Sequence, residues 1–389
     1  MNRKHWIGLS IVVLALVLAV ATFFLLAPRR TSENGSGWDA SDATRTPDPT
    51  TTTAIIEPTG TIEETSSQES SATPRQWSSA ATLVFQRDGA LWAAREDGTG
   101  KETRLLSFSD TGTYLLSPDR TLLAFTTSKG EQKPLFVAEL ATGKVRKLAE
   151  TTRAKQGQSY AWSPEGERLA YTVPVYRRSA LAGENIYSIR ADGAEKRLVV
   201  KQGGSPVWGP DEWIAFRRTD FTKGTWRLFM VKAEGGPATA VPASNRACAY
   251  SWSPKRPELV FAVAESEGKV IDGVVRMLRR GERVPQTVLQ ERLESATYTE
   301  IVWSPDGRQI AVGRSGDDGY SRVRVIDLSG KIEAWEVNAD RDVYPACWSV
   351  DGSRLLYFEG NAFQGAPSNL WCVRRSGTSR RVVIDAAAP

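Results

Sequence analysis

A short motif, Trp-Ser-Pro-Asp-Gly, recurs along this 389-residue chain and constrains its fold more than any other feature. The clearest copy runs from Trp303 to Gly307 and precedes the apolar residues Ile310-Ala311-Val312. A fixed period of roughly 45 residues marks a repeat architecture in which each unit is one supersecondary motif. The six copies begin at Leu116, Trp162, Trp208, Trp252, Trp303 and Trp348.

Each period predicts four short strands. A strand ends at the motif Trp, Ser-Pro-Asp-Gly then predicts a type I turn, and an apolar second strand follows. A variable loop leads to a third strand, and a turn such as Asp192-Gly193 joins it to a more polar fourth strand. Four antiparallel strands per period are typical of a β-propeller blade.

The blade count follows from the residues before the first full copy. Leu83-Val84-Phe85, Leu91-Trp92-Ala93 and Thr103 to Leu106 match strands two, three and four of one more blade. We therefore predict seven blades, with six as the alternative. The missing inner strand would come from residues near Gln76-Trp77-Ser78, unless the first blade has only three strands.

The six copies give the chain a resemblance to the TolB-like, or WD-repeat-like, β-propeller family over residues from about 80 to 385. The resemblance implies an all-β fold, a β-propeller of four-stranded antiparallel blades. It does not imply a function, because propellers of this kind serve unrelated tasks.

The N-terminal region predicts a membrane anchor. Residues 6–27 form an uncharged, largely apolar run long enough to span a bilayer, behind a short cytoplasmic tail at 1–5. Flanking arginines and the acidic residues that follow favour an N-terminus inside the cell and a propeller outside the cytoplasm. A signal peptide cleaved after Ala19-Val20-Ala21, which would release a secreted protein, is the alternative.

Residues 28–76 form a Thr/Ser/Pro-rich acidic segment that predicts a disordered linker, followed by the propeller domain at 77–389. Of the formal net charge of +5, residues 1–30 carry +4 and residues 31–76 carry −6, which leaves +7 for the rest. A positively charged propeller favours anionic partners. The alternative is that this net charge serves only to keep the protein soluble.

The composition argues against common catalytic sites. The single histidine, His5, precedes the predicted anchor, so Ser-His-Asp catalysis and histidine-based zinc sites are excluded from the propeller. Cys248, Cys347 and Cys372 have no metal-ligand spacing and are expected to be buried free thiols. The motif aspartates are interpreted as turn formers and the motif tryptophans as inter-blade packing. We therefore predict no catalytic residues, no metal and no cofactor.

Binding residues are expected on the loops that join strands two and three, which share one face with the blade connections. An aromatic side chain beside arginine is typical of binding hot spots. The predicted loops are 174–184, 217–226, 313–320 and 359–368. The candidate partner-binding residues on them are Tyr176, Arg177, Arg178, Arg217, Asp220, Phe221, Asp317, Asp318, Tyr320 and Phe363.

These features together predict a membrane-anchored, extracytoplasmic, non-catalytic binding module with a monomeric head. Its partner would be a protein or an anionic envelope polymer held by the loop face, and no nucleic acid. The alternatives are a carbohydrate- or cell-wall-polymer-binding sensor and a propeller hydrolase or lyase. The enzyme would require two or more inward-facing carboxyl groups with raised pKa values.

Overall fold

The motif turns fold as hydrogen-bonded units. In the clearest copy, the Gly307 amide donates to the Ser304 carbonyl at 2.9 Å, and Gly307 has a φ of +67°. The Ser304 hydroxyl and the Arg308 amide donate to Oδ1 of Asp306 at 2.7 and 3.0 Å. The aspartate is therefore a turn former, as predicted from the sequence.

The computed structural model describes residues 83–87, 90–107, 111–127, 132–152, 159–178, 180–267, 270–293, 298–315, 321–328, 333–337, 342–360 and 369–384. The predicted tail, anchor and linker lie outside these residues. So does Gln76-Trp77-Ser78, and an inner strand there stays a prediction.

The described residues form seven antiparallel sheets, which confirms the predicted seven blades. Blade 1 has three described strands: β1 Leu83–Arg87, β2 Ala90–Ala94 and β3 Thr103–Ser107. Blade 2 consists of β4 Thr111–Leu116, β5 Leu122–Thr127, β6 Gln132–Glu139 and β7 Val145–Thr152. Blade 3 consists of β8 Tyr160–Trp162, β9 Arg168–Arg177, β10 Ala180–Arg190 and β11 Arg197–Lys201.

The other four blades have four strands each, in chain order. Blade 4 contains β12 Gly204–Trp208, β13 Trp213–Asp220, β14 Thr225–Lys232 and β15 Thr239–Ala240. Blade 5 contains β16 Ala247–Trp252, β17 Glu258–Glu267, β18 Val270–Arg279 and β19 Gln286–Leu293. Blade 6 contains β20 Tyr298–Trp303, β21 Gln309–Ser315, β22 Ser321–Asp327 and β23 Glu333–Glu336. Blade 7 contains β24 Val343–Trp348, β25 Arg354–Glu359, β26 Asn369–Arg374 and β27 Arg381–Ile384.

The hydrophobic core lies between the blades. Seven buried clusters are found in the described residues, one for each pair of neighbouring blades. One of them joins blade 1 to blade 7 through Leu83, Phe85, Leu356 and Leu370, so the ring is closed. The second strand of each blade is buried on both faces, which explains its continuous apolar sequence.

The motif tryptophans pack between blades, as predicted. All five are buried, and the indole nitrogens of Trp162, Trp303 and Trp348 donate to a carbonyl in the inner strand of the preceding blade at 3.0 to 3.2 Å. Trp252 packs against Gly209, where a β-carbon would lie 2.4 Å from the indole ring. This contact explains why blade 4 has Gly in place of the motif Ser.

The blade 4 copy departs from the predicted type I turn. Asp211 and Glu212 both adopt the left-handed conformation, with φ of 55° and 57°. A type I turn needs negative φ at both central positions, so this copy was wrongly interpreted. This turn is one residue shorter than the clearest copy, since the Gly209 amide donates to the Trp213 carbonyl four residues on, whereas the Ser304 amide donates to the Gln309 carbonyl five residues on.

The ring presents two faces. The turn face carries the motif turns and the turns between strands three and four of each blade. The hairpin face carries the connections between strands two and three together with the blade-to-blade segments. On the turn face, Arg375 of blade 7 pairs with Asp306 of blade 6 at 2.6 Å, and Arg280 of blade 5 pairs with Asp211 of blade 4.

Candidate functional site

Two of the predicted loops on the hairpin face are β-hairpins. In blade 3, β9 and β10 stay paired as far as Arg177 and Ala180, and in blade 4, β13 and β14 stay paired as far as Asp220 and Thr225. The segments 174–184 and 217–226 do join strands two and three, as predicted, but most of their residues are paired strand and not loop. Alternating side chains such as Val173 and Val175, and Trp226 and Leu228, continue the strand pattern into these segments.

An opening beside the blade 4 hairpin results from its short outer strand. β15 has two residues, and it pairs only with Phe229 and Met230 of β14. The chain then continues through residues 241–246, whose Ser244 hydroxyl donates to the Val241 carbonyl at 2.7 Å and accepts from the Leu228 amide at 3.2 Å. Because no regular strand covers the outer edge of β14, its end remains accessible.

A cavity of about 790 Å³ occupies this place. We call it the hairpin pocket. It is formed by the blade 3 and blade 4 hairpins and by the two connections that flank blade 4. Its lining includes Ala182, Gly183, Gln202, Arg218, Thr219, Asp220, Phe221, Thr222, Thr225, Trp226, Arg227, Phe229, Asn245 and Arg246.

Three arginines face the hairpin pocket. The Arg218 guanidinium lies 4.4 Å from the Phe229 ring centroid and donates from Nε to the Gln202 carbonyl at 3.0 Å, which fixes its position. Burial lowers the pKa of Arg218, but the guanidinium remains protonated. Arg227 and Arg246 are exposed, and neither has a carboxylate partner within the described part of the chain.

Asp220 and Phe221 form the tip of the blade 4 hairpin. Oδ1 of Asp220 accepts hydrogen bonds from the Thr222 hydroxyl at 2.6 Å and from the Thr222 and Lys223 amides at 3.0 and 3.2 Å. These bonds, led by the Thr222 hydroxyl, lower the pKa of Asp220. The neighbouring Phe221 side chain is 39% exposed. The tip is therefore a fixed turn that presents an aromatic ring to solvent.

Trp226 separates the hairpin pocket from the central channel. Its indole nitrogen donates to the Ala247 carbonyl at 2.8 Å, and the Arg217 guanidinium lies 6.0 Å from its ring centroid. Arg217 itself lines the channel, where the Tyr250 hydroxyl donates to the Ser205 carbonyl. Burial raises the pKa of Tyr250, so its hydroxyl stays protonated.

The inner strands enclose a second cavity, of about 830 Å³, along the ring axis. Glu300 of β20 points into it. The carboxyl group reaches channel water but is surrounded by protein, and this burial raises its pKa to about 7. No carboxyl partner for Glu300 is found among the lining residues. Among the described residues that line the channel, Glu300 is the one carboxylate, whereas an acid–base pair would need two.

The structure separates the predicted binding residues. Asp220 and Phe221 line the hairpin pocket, Arg217 lines the channel, and Tyr176, Arg177 and Arg178 stand exposed at the end of the blade 3 hairpin. Asp317, Asp318, Tyr320 and Phe363 lie outside the described residues, so their predicted role stays untested.

The sequence analysis did not predict that four residues of the hairpin pocket lie close together: Arg218, Trp226, Arg227 and Arg246. Arg218 and Trp226 fall inside a predicted loop, whereas Arg246 lies in the segment after β15. The signal for Arg246 was the absence of a polar fourth strand in the blade 4 sequence, where Pro237, Pro242 and Asn245 interrupt the pattern.

The cysteines are free thiols in the predicted strands, with Cys248 in β16, Cys347 in β24 and Cys372 in β26. The expected burial is confirmed for Cys372 and was wrong for Cys248 and Cys347, which are half-buried in inner strands that line the central openings. Burial raises the pKa of the Cys347 thiol to about 12, which keeps it protonated and unreactive. In the described ranges, no three His, Cys, Asp or Glu side chains are grouped as metal ligands would be.

The repeated blades match a known protein family in sequence. The family described as the TolB beta propeller domain matches residues 87–350. The chain belongs to this TolB β-propeller family. No curated protein matches the sequence.

Solved structures similar to this TolB-family propeller include three with different roles. An oligogalacturonate lyase in complex with manganese has a TM-score of 0.52 and 15% sequence identity, over 80% of this chain and 85% of that chain. The propeller of the Trilobed protease from Pyrococcus furiosus has a TM-score of 0.51 and 12% identity, over 71% of this chain and 85% of that chain. TolB from Acinetobacter baumannii has a TM-score of 0.46 and 14% identity, over 75% of this chain and 58% of that chain. This chain therefore spans 58% of the length of that TolB. At these identities the likeness shows the fold alone.

The membrane prediction rests on residues outside the structure. Among the described residues, no helix has the length and apolar character needed to cross a bilayer. The predicted span at 6–27 is not among them.

Proposed function

We propose that this TolB-family protein is a membrane-anchored, extracytoplasmic and non-catalytic binding module that holds an anionic envelope component on its hairpin face. One observation carries the proposal. The hairpin pocket brings three guanidinium groups together with the exposed Phe221 ring and the half-buried Trp226 and Phe229 rings at the end of the blade 4 hairpin. Binding residues are typically placed on such connections and supported by a regular scaffold.

Electrostatics support an anionic partner. Arg177 and Arg178 on the blade 3 hairpin add positive charge beside the hairpin pocket, and both are exposed. With +7 of formal charge after residue 76, the potential of the head also favours the approach of anions. The anchor at 6–27 and the linker at 28–76 would place this surface near the envelope.

Sedimentation with isolated envelope fragments tests the proposal. The full-length protein in detergent should be retained by the fragments at low salt and released as ionic strength rises. A hairpin-face variant, R177A/F221A, should lose most of this retention. The matched control, R283A/V284A, also removes one arginine and one exposed apolar side chain, but from the β18–β19 turn on the turn face.

The two variants decide the outcome. Equal loss of retention in both would mean that the whole surface charge, and not the hairpin face, attracts the fragments. Full retention of R177A/F221A would place the binding surface elsewhere and overturn the proposal.

A protein partner is the second candidate. The large apolar side chains Tyr176 and Phe221 are 47% and 39% exposed on the same face, and exposed aromatics next to arginine suit protein recognition. A photoreactive amino acid placed at position 221 should then form one protein adduct in cells, with position 284 as control. Protease treatment of the fragments before sedimentation separates the two candidates, since only a protein partner would be destroyed.

A further inference from the structure

The hairpin pocket has positive charge that the described residues do not neutralise. Its lining holds three guanidinium groups and one carboxylate, that of Asp220. The Asp220 carboxylate is already occupied by its own turn, through Thr222 and the Lys223 amide. Arg227 and Arg246 therefore keep donors available for an anion that comes from outside.

The Arg218 guanidinium and the backbone beside Arg246 are held in place before any ligand binds, and Nε of Arg227 donates to the Val241 carbonyl at 3.5 Å. Arg218 donates to backbone carbonyls of the connection between blades 3 and 4 and stacks on Phe229. Arg246 adopts a left-handed φ of 57°, and its amide donates to the Trp226 carbonyl at 2.9 Å. Gln202, on the other connection, has a φ of 56°. A non-glycine residue is uncommon in this conformation, and such backbone tends to occur at binding sites.

The remaining lining distinguishes between anionic ligands. Among the lining residues there is no Leu, Ile, Val or Met, so a peptide would find no aliphatic pocket for an anchor side chain. The aromatic rings of Phe221 and Trp226 are accompanied by the hydroxyl or amide groups of Thr219, Thr225 and Asn245. Sugar rings present apolar faces and many hydroxyls, which match rings and neutral polar groups of this kind.

We propose that the hairpin pocket binds a carboxylate-bearing saccharide, with the carboxylate at Arg227 and Arg246 and the sugar face on Phe221 and Trp226. This inference rests on the proposed function and names the chemical class of its anionic component. Arginine suits the carboxylate because its planar guanidinium can donate two parallel hydrogen bonds. A cavity of about 790 Å³ has room for a short oligosaccharide.

Titration of the full-length protein in detergent with a trimer of galacturonic acid tests the inference. Binding should weaken by about tenfold or more in R227A/R246A, because two charge-assisted contacts are lost. R246K should bind with intermediate strength, since it keeps the charge but loses the planar fork. R283A/V284A should bind as the wild type does, and equal melting temperatures should show that all variants are folded.

Three further probes define the ligand. The methyl ester of the same trimer keeps the rings and removes the charge, so it should bind at least tenfold more weakly. A deca-aspartate peptide has the charge without the rings, and equal or tighter binding of this peptide would overturn the saccharide assignment. Long polygalacturonate distinguishes a polymer ligand, which would bind more tightly than the trimer, from a free oligosaccharide, which would not.

The envelope sedimentation separates failure of this inference from failure of the proposed function. If no uronate probe binds while envelope retention still depends on the hairpin face, the saccharide assignment is wrong and the binding module stands. If no uronate probe binds and R177A/F221A is also fully retained by the fragments, both are wrong.

Discussion

On the turn face, three motif copies hold their aspartate by the same bonds, from the Ser two residues earlier and from the amide two residues later. On the hairpin face, the blade 3 and blade 4 hairpins differ in length, and blade 3 has a register shift between Leu181 and Gly183. Repetition marks the residues that hold the blades together. The hairpin pocket lies where blades 3 and 4 differ from the repeat, because a binding surface needs particular side chains that blade packing does not require.

Truncation of a motif tryptophan should give the largest effect in this comparison. W303A removes a buried ring from between blades 5 and 6 and the bond from its indole nitrogen to the Ser251 carbonyl. We expect a loss of about 3 to 5 kcal/mol in the free energy of unfolding, measured by denaturant unfolding. F221A, on the hairpin face, should change stability by less than about 0.5 kcal/mol. Similar losses in both would contradict the division between the faces.

Two glycines sharpen the same contrast. G209A would place a β-carbon 2.4 Å from the Trp252 ring, whereas a β-carbon at Gly183 meets nothing within 4 Å. Overpacking should cost G209A about 2 kcal/mol, and G183A should be neutral or slightly stabilising. The melting temperatures of G209A and G183A, measured against that of the wild type, test this difference in stability. A neutral G209A would show that the Trp252 indole can move away.

The motif copy of blade 7, which contacts blade 1, differs from the other full copies at the Pro position. Val350 replaces the motif Pro, and its amide donates to both carboxylate oxygens of Glu96 at 3.0 and 3.2 Å. V350P restores the motif but removes the N–H, so it should destabilise the protein by about 1 kcal/mol. The reverse change in blade 6, P305V, supplies an N–H without this partner and should cost about 0.5 kcal/mol. Stabilisation by V350P would show that the Glu96 contact contributes nothing.

The smallest expected effect depends on pH. Burial alone would raise the pKa of Asp306, but the bonds from Arg375, Ser304 and the Arg308 amide outweigh it and lower the pKa to about 2. The stabilisation is present above the unfolded pKa of Asp306, near 4, and is lost as pH falls toward 2. D306N should therefore cost about 0.5 to 1 kcal/mol at pH 7, less near pH 2.5, and almost nothing below pH 2, as measured by denaturant unfolding. D220N, whose carboxylate bonds only within its own exposed turn, is the hairpin-face control. A D306N deficit that persists unchanged at low pH would contradict the role of this charge.

Predictions from the sequence succeeded where residues repeat and failed where blade 4 departs from the repeat. The spacing of Trp303 and its relatives was sufficient for the repeating blades and their core, because all five motif tryptophans are buried between blades and three of them make the same indole-to-carbonyl bond. The blade 4 turn at Asp211, the two-residue β15 and the long hairpins were missed. The sequence carried signals for β15, in Pro237 and Pro242, and for the hairpins, in their alternating side chains, but the regular copies of the repeat gave no precedent for them.

The amino-acid sequence by itself predicted the repeating four-stranded blades, with seven favoured over six, the turn-forming aspartates of the regular copies, the strands that hold the three cysteines and the family of this protein. It did so because local turn chemistry and apolar periodicity fix each blade in the same way. Only the tertiary structure decided that Arg218, Arg227 and Arg246 share a pocket and that Arg217 belongs to the channel. These residues come from different strands and connections, and their distances depend on how neighbouring blades pack.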